Sequence, residues 1–351
     1  MPLQAADIPG LVAITLKELG RNKWQEVSQS LQRFTAAKKL WTKKRITEDS
    51  GTEIQFNFRD AIGDRAVWRT LDDADAVNLG GTLYQAAVPW RHITTNLALH
   101  DVMILMNRNP AKIVDLVKTQ RTAAELDLMS KIESAFWTKP ATSADVRLPW
   151  GLEYWVTPHA SAGFNGGAAT GFTTKGGVDP STHSNFTNNY TFRYAAVSQA
   201  DLVRALRLAL YKTGFVSPVT TPGYEEGGPD VGMYSTYDVV RALEELAEAQ
   251  NDNNGSDLAK YDGMATIRRI AVEPVPFLDT GLTAASAVYG KAPIYGIDWS
   301  VYHTVFLQGR YRAESGIIRP PDHHDVTVVY EDTTCNFVCH EPRRQFLGST
   351  A

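Results

Sequence analysis

The sequence predicts an α+β protein, with helices and strands in separate stretches of the chain. Three observations carry that expectation. The apolar period falls from about 3.6 to about 2 at Gly51, an unbroken helical stripe runs from Pro110 to Trp137, and the chain beyond Ala265 alternates as short strands.

Residues 1–45 read as helical pieces joined by Gly20 and Asn22, with Trp24, Val27, Leu31 and Phe34 at helical spacing. They show no partner element nearby in sequence, which fits an arm laid on another subunit. Beyond Gly51, Ile54, Phe56 and Phe58 alternate with Glu53, Gln55, Asn57 and Arg59, the pattern of a half-exposed strand. Further strands are expected over 66–71 and 82–88, with Asp72-Asp73-Ala74-Asp75 and Gly80-Gly81 between them. The product is a long hairpin with too few apolar residues for a core of its own. An isolated two-stranded ribbon is marginal in water, so it must rest on something else.

The helix over 110–137 is the strongest element. Asn109 and Pro110 suit the cap and first helical position, and Ile113, Leu116, Val117, Ala124, Leu128, Ile132 and Phe136 form one stripe. At about 1.5 Å per residue it is roughly 40 Å long, a beam across a domain. Residues 158–194 read as a loop rich in Gly, Ser, Thr and Asn, punctuated by Phe164, Phe172, Phe186 and Tyr190. Loops of that length are uncommon without a function or an ordering partner. A helix follows Ser198, where Ser198-Gln-Ala-Asp201 resembles a capping box, and runs to about Lys212; another spans about 238–249. Strands are expected over 265–272, 293–299, 301–308, 325–330, 335–339 and 345–347.

Composition narrows the function. A chain of 351 residues, 43% hydrophobic and 21% charged, buries a sizeable core and is too apolar for disorder. No apolar run approaches the roughly 18 residues of a membrane span. The stretch from Ile8 to Leu19 is broken by Pro9 and Lys17 and follows no basic segment, so no signal peptide is expected. Two cysteines cannot build a disulfide framework, which points to a reducing cytoplasm and leaves the Asn-x-Ser/Thr triplets at Asn185, Asn189 and Asn254 without meaning. The net charge of −4 argues against a dedicated nucleic-acid binder. It is uneven, however: residues 1–46 hold nine Lys/Arg against three acids, a surplus of six that leaves −10 for the rest. Lys38, Lys39, Lys43, Lys44 and Arg45 concentrate that surplus, suiting DNA, a neighbouring copy or a solvated helical face.

Catalytic signals are sparse. Asp322-His323-His324-Asp325 has ligating residue types, and His323, His324 and Asp325 are the candidate metal site of a hydrolase reading. Neighbours at a strand entry point to opposite faces, so at most two could share an ion, and a polar loop is the simpler reading. Cys335 and Cys339 share a strand face but stand over about 10 Å apart, beyond disulfide reach. Gly166-Gly167 and Gly176-Gly177 precede no helix that could hold a phosphate. No dinucleotide, Walker, nucleophile-elbow or zinc-protease motif occurs, and no cofactor is expected.

One resemblance is specific. Val88-Pro-Trp-Arg-His-Ile-Thr-Thr-Asn96 and Met106-Asn-Arg-Asn-Pro-Ala-Lys-Ile-Val-Asp-Leu116 resemble the hairpin-to-helix junction of one group of tailed-phage major capsid proteins. Leu148-Pro-Trp-Gly-Leu-Glu-Tyr-Trp155, Gly176-Gly-Val-Asp-Pro-Ser-Thr182, Lys212-Thr-Gly-Phe215, Leu246-Ala-Glu-Ala-Gln-Asn-Asp252, Pro293-Ile-Tyr-Gly-Ile-Asp-Trp299 and Arg343-Arg-Gln-Phe346 continue it in order. The resemblance covers residues 50–351.

It implies the Hong Kong ninety-seven type of capsid fold. The arm would be 1–50, the extended hairpin loop 51–92 and a peripheral domain 93–194 with spine helix 110–137. An axial domain would follow at 195–290, and C-terminal strands at 291–351 would complete the peripheral domain. The implied function is a shell subunit that forms hexamers and pentamers and catalyses nothing. Its expected partners are copies of itself, a portal, decoration proteins and packaged DNA met non-specifically, with no membrane. An arm that starts the chain implies a separate scaffolding protein, or assembly without one. The implied location is the virion, assembled in the host bacterial cytoplasm. An encapsulin shell of the same fold is the nearest alternative, and the metal-dependent hydrolase the alternative of another class. Residues expected to touch neighbours are Arg59, Arg65, Trp68, Arg69, Leu71, Asp72, Asp73 and Asp75. Some members of the family cross-link a loop lysine to an asparagine of the next subunit, yet this chain has no lysine between Gly51 and Ala111.

Overall fold

The computed structural model describes residues 34–41, 46–60, 68, 70–71, 83–102, 110–214, 230–251, 265–280, 292–322 and 325–350. In chain order these residues form α1 (Thr35–Leu40), β1 (Ile46–Asp49), β2 (Glu53–Arg59), β3 (Leu83–Pro89), β4 (Arg91–His100) and the spine helix α2 (Pro110–Trp137). Next come α3 (Leu152–Trp155), β5 (Gly163–Gly166), α4 (Ser184–Thr187), β6 (Asn189–Tyr194), α5 (Arg204–Thr213), β7 (Val231–Ser235) and α6 (Tyr237–Asn251). The chain closes with β8 (Thr266–Ile267), β9 (Ile270–Pro274), α7 (Pro276–Thr280), β10 (Ile294–Asp298), β11 (Tyr302–Leu307), β12 (Ala313–Glu314), β13 (Val326–Cys339) and β14 (Phe346–Thr350).

Three sheets result. The first runs β1-β11-β13-β12 with β4 also on β13, the second β5-β6-β14-β10-β7-β9-β8, and the third is the β2–β3 ribbon. The first is dominated by an antiparallel pairing of β4 with β13, from His100 opposite Val326 to Arg91 opposite Cys335. This mixed architecture is the α+β class expected, and α2 has the expected bounds. Val117, Leu128, Ile132 and Phe136 of its stripe are buried, and Phe136 stacks on Trp299 with ring centroids 5.5 Å apart.

Several elements differ from expectation. Trp68, Thr70 and Leu71 lie in no strand, and the rest of 66–71 falls outside the described residues. The stretch 158–194 is not a plain loop, because β5, α4 and β6 give its buried polar atoms backbone partners. The strands expected at 325–330 and 335–339 are one strand, since the unforeseen β4 pairs with it from Val326 to Cys335 and β11 from Cys335 to Cys339. The Ser198 cap is present, its hydroxyl accepting the Asp201 N–H at 3.2 Å, but the first turn is a π-turn over Gln199–Val203. The Asp201 carboxylate turns back instead to the amides of Ala195 and Ala196, at 2.7 and 3.0 Å.

The core divides into two clusters. The larger joins α1, the ribbon, α2, α3 and the ends of β11 and β13; the smaller joins β6, α5, β7, α6 and β9.

Candidate assembly surface

The ribbon is rooted in its own chain, and the described residues beyond its root are exposed. Ile54 and Phe58 of β2 and Ala86 and Val88 of β3 are buried in the larger cluster. Phe58 stacks on Phe186 at 4.0 Å, and Phe56 meets His340 edge-on at 4.8 Å. Asp60 closes the root. Its carboxylate accepts the Phe186 N–H at 3.2 Å and lies 3.1 Å from His183 Nδ1, while its carbonyl accepts from Asn185 Nδ2 at 3.0 Å. On the other strand, the Ala87 N–H donates to the carbonyl of Gly176 at 2.9 Å.

Past the root the burial ends. Trp68 and Leu71 are fully exposed, at 102% and 103% of their reference areas, and Leu83 is 75% exposed. Two large, fully exposed apolar side chains are an unfavourable surface for an isolated subunit. Arg59 is exposed at the end of β2. Arg65, Arg69, Asp72, Asp73 and Asp75 fall outside the described residues.

The start of the chain is held differently from expectation. The Ala36 and Ala37 amides at the N-terminus of α1 donate to the Glu133 carboxylate at 3.0 and 2.7 Å, and Trp137 Nε1 donates to it at 2.8 Å. Burial pushes the Glu133 pKa up, while those donors pull it back. β1 then adds to the first sheet, parallel to β11. Residues 35–41 and 46–49 therefore lie on their own chain rather than on another subunit, because the spine helix supplies the acceptor their amides need. Lys38 is exposed, and Lys39 Nζ lies 3.4 Å from Asp230. Lys43, Lys44 and Arg45 fall outside the described residues.

Cys335 and Cys339 are free and buried; burial pushes the Cys335 thiol up to about 12 and Cys339 further, so neither is a thiolate near neutral pH. The Asp325 carbonyl accepts the Asp101 N–H at 2.9 Å, and His323 and His324 fall outside the described residues. Among the described residues no three His, Cys, Asp or Glu side chains group as metal ligands, and no helix is long and apolar enough to cross a membrane.

Sequence reading missed several buried polar residues that fix these surfaces. Lys175 is fully buried, donating through Nζ to the carbonyls of Trp155 at 3.0 Å and Thr187 at 2.6 Å. Burial brings its pKa down to about 7. Asn189 binds the Thr157 backbone from both sides, accepting its N–H at 2.9 Å and donating to its carbonyl at 3.0 Å. The partners of Asp60 and Glu133 are about a hundred residues away, so no local pattern announces them.

No protein-family model and no curated protein matches the sequence. Solved structures do match over nearly the whole chain. A chain of the cyanophage A-1(L) capsid asymmetric unit aligns with a TM-score of 0.60 at 17% identity, covering 96% of this chain and 98% of that one. A capsid chain of the native GTA particle aligns with a TM-score of 0.59 at 11% identity, covering 95% and 96%. A chain from Mycobacterium phage Ogopogo gives 0.50 at 11% identity, covering 96% and 98%. From the root of the ribbon to the spine helix and the closing strands, this chain has the fold of tailed-phage major capsid proteins.

Proposed function

We propose that this chain is a major capsid protein whose copies form hexamers and pentamers and close an icosahedral head around double-stranded DNA. The carrying observation is that the likeness to capsid chains runs end to end, 96% of this chain on 98% of the cyanophage chain. The full exposure of Trp68 and Leu71 supports it, since a neighbouring copy would cover them. On this reading the protein works by association and catalyses no reaction.

The segments take the roles the sequence suggested: arm 1–50, extended loop 51–92, peripheral domain 93–194 and 291–351, axial domain 195–290. The separate cluster around α5 and α6 supports the last assignment. The basic surplus of residues 1–46 is suited to DNA phosphates or to a neighbour, without sequence readout. A separate scaffolding protein, a portal and decoration proteins complete the partners, in a virion assembled in the bacterial cytoplasm.

Electron micrographs and size-exclusion chromatography of the expressed chain test the proposal together. Capsomers or closed shells support it. A monodisperse small oligomer with no particles under any assembly condition overturns it.

A further inference from the structure

Between the end of α2, α3 and the β10–β14 pairing lies a cavity of about 340 Å³, within the size range of small-molecule sites. Strand register builds one wall of it. Tyr295 of β10 stands opposite Leu347 of β14, and Ser349, two residues further on, shares the face of Leu347. Tyr295 and Ser349 are only 3% and 5% exposed, yet neither hydroxyl has a hydrogen-bond partner among the described residues. An unpaired buried hydroxyl costs free energy, so two of them on one cavity wall mark a place for a polar molecule.

Charges of both signs join them. Lys139, just past α2, gives two of its donors to the carbonyls of Thr170 and Pro140, at 2.8 and 3.4 Å. It forms no ion pair among the described residues. Burial lowers the Lys139 pKa, and the carboxylate charge of buried Glu153 in α3 partly holds it up. Burial and then the same carboxylate push the Tyr295 phenol well above its ordinary 10, so it stays a donor. Half-buried His159 accepts the Ser161 N–H on Nδ1 at 3.1 Å, which leaves the proton of the neutral ring on Nε2. Buried Val156, Ala169 and Leu347 make the rest of the lining apolar.

We infer that this cavity binds a free amino acid with a small aliphatic side chain. Its carboxylate is received by Lys139, Tyr295 and Ser349, its ammonium faces Glu153, and its side chain lies against Val156, Ala169 and Leu347. One cation and one anion leave the site neutral, so it complements a zwitterion better than a bare acid or amine, whose net charge would be buried without compensation. The two termini of a peptide stand too far apart to supply both charges. The site lies within one subunit and needs no assembly. Occupancy ties the end of α2 and α3 to the second sheet and stabilises the subunit by mass action.

Calorimetric titration of full-length protein with L-valine should show saturable binding of one molecule per subunit, and valine should raise the denaturation midpoint. Isovalerate and isobutylamine, which each carry one of valine's two charges, should bind about tenfold more weakly or worse. Tyr295→Phe removes an oxygen with no partner among the described residues, so it should leave the ligand-free midpoint unchanged while weakening valine binding by about tenfold. Lys139→Met should weaken it at least as much. Absence of saturable binding by L-valine and the other aliphatic amino acids overturns the site. Isovalerate binding as tightly as valine overturns the zwitterion, and undiminished valine binding by both variants places the ligand elsewhere and overturns the assignment.

Discussion

At the scale of single residues, the turn at Lys175 links a buried cation to the ribbon. Gly176 and Gly177 have φ of +61° and +76°, and Lys175 and Val178 exchange both backbone hydrogen bonds across them, at 2.9 and 3.1 Å. Two successive positive φ values make the hairpin turn that favours Gly-Gly, and the Gly176 carbonyl is thereby free to receive Ala87. The same turn fixes Lys175 between two carbonyls. Its pKa falls from 10.5 to about 7, and that of His340 from 6.5 to about 4 through burial and then the nearby His303. For both groups the unfolded chain holds a proton at pH values where the folded chain has released it, so folding stability rises with pH. The windows are about pH 4 to 6.5 for His340 and 7 to 10.5 for Lys175. Glu133, its pKa raised, opposes the rise above its ordinary 4.5. Above the ordinary thiol value of 9.0 the buried cysteines reverse the slope. Denaturation midpoints should therefore climb from neutral pH to about 9, and Lys175→Met should flatten that limb. The variant should also lose roughly 1–3 kcal/mol at pH 8, because it strands two buried carbonyls.

At the scale of elements, α1 and the ribbon are both anchored by carboxylate contacts between residues distant in sequence, with opposite consequences. Glu133→Ala strands two amides and an indole N–H at the α1 terminus. Hydrogen exchange should show protection lost over residues 35–41 while β10 and β13 keep theirs; uniform loss would show that α1 is no separable unit. The ribbon end behaves in reverse. Trp68→Ala removes a fully exposed side chain, so subunit stability should change by less than about 0.5 kcal/mol. Assembly should weaken by a few kcal/mol per contact if a neighbour covers the indole. Shells forming as readily as in the parent would show that Trp68 makes no such contact.

At the scale of the whole molecule, particles of the proposed shell are expected to hold without covalent links. The cross-link made by some capsid proteins needs a deprotonated lysine amine on the extended hairpin, and 51–111 supplies none. Arginine cannot replace it, since the guanidinium stays protonated. Lys175 has the depressed pKa but is enclosed, its amine bound to two carbonyls. Stability must come from buried area and charge pairing repeated over many copies. Boiling purified particles in denaturing detergent should give one band at the monomer mass, and a ladder of multimers would refute the expectation.

The sequence by itself determined the elements whose signals are local. The 110–137 stripe, the alternation of Ile54, Phe56 and Phe58 and the Ser198 cap each fit within one or two turns or pleats, and each is present. The lack of lysine in the loop needed no structure either. β4 was partly legible, because Ile93, Leu97 and Leu99 alternate, but Thr94, Thr95 and Asn96 in its middle dilute the pattern. Tertiary structure alone decided what holds α1 and what roots the ribbon. Glu133 meets Ala36 across 97 residues, and Asp60 meets His183 across 123. Such contacts leave no periodic trace, because a buried carboxylate or amine is set by the donors and acceptors that folding brings to it, and a linear pattern records only what repeats along one element.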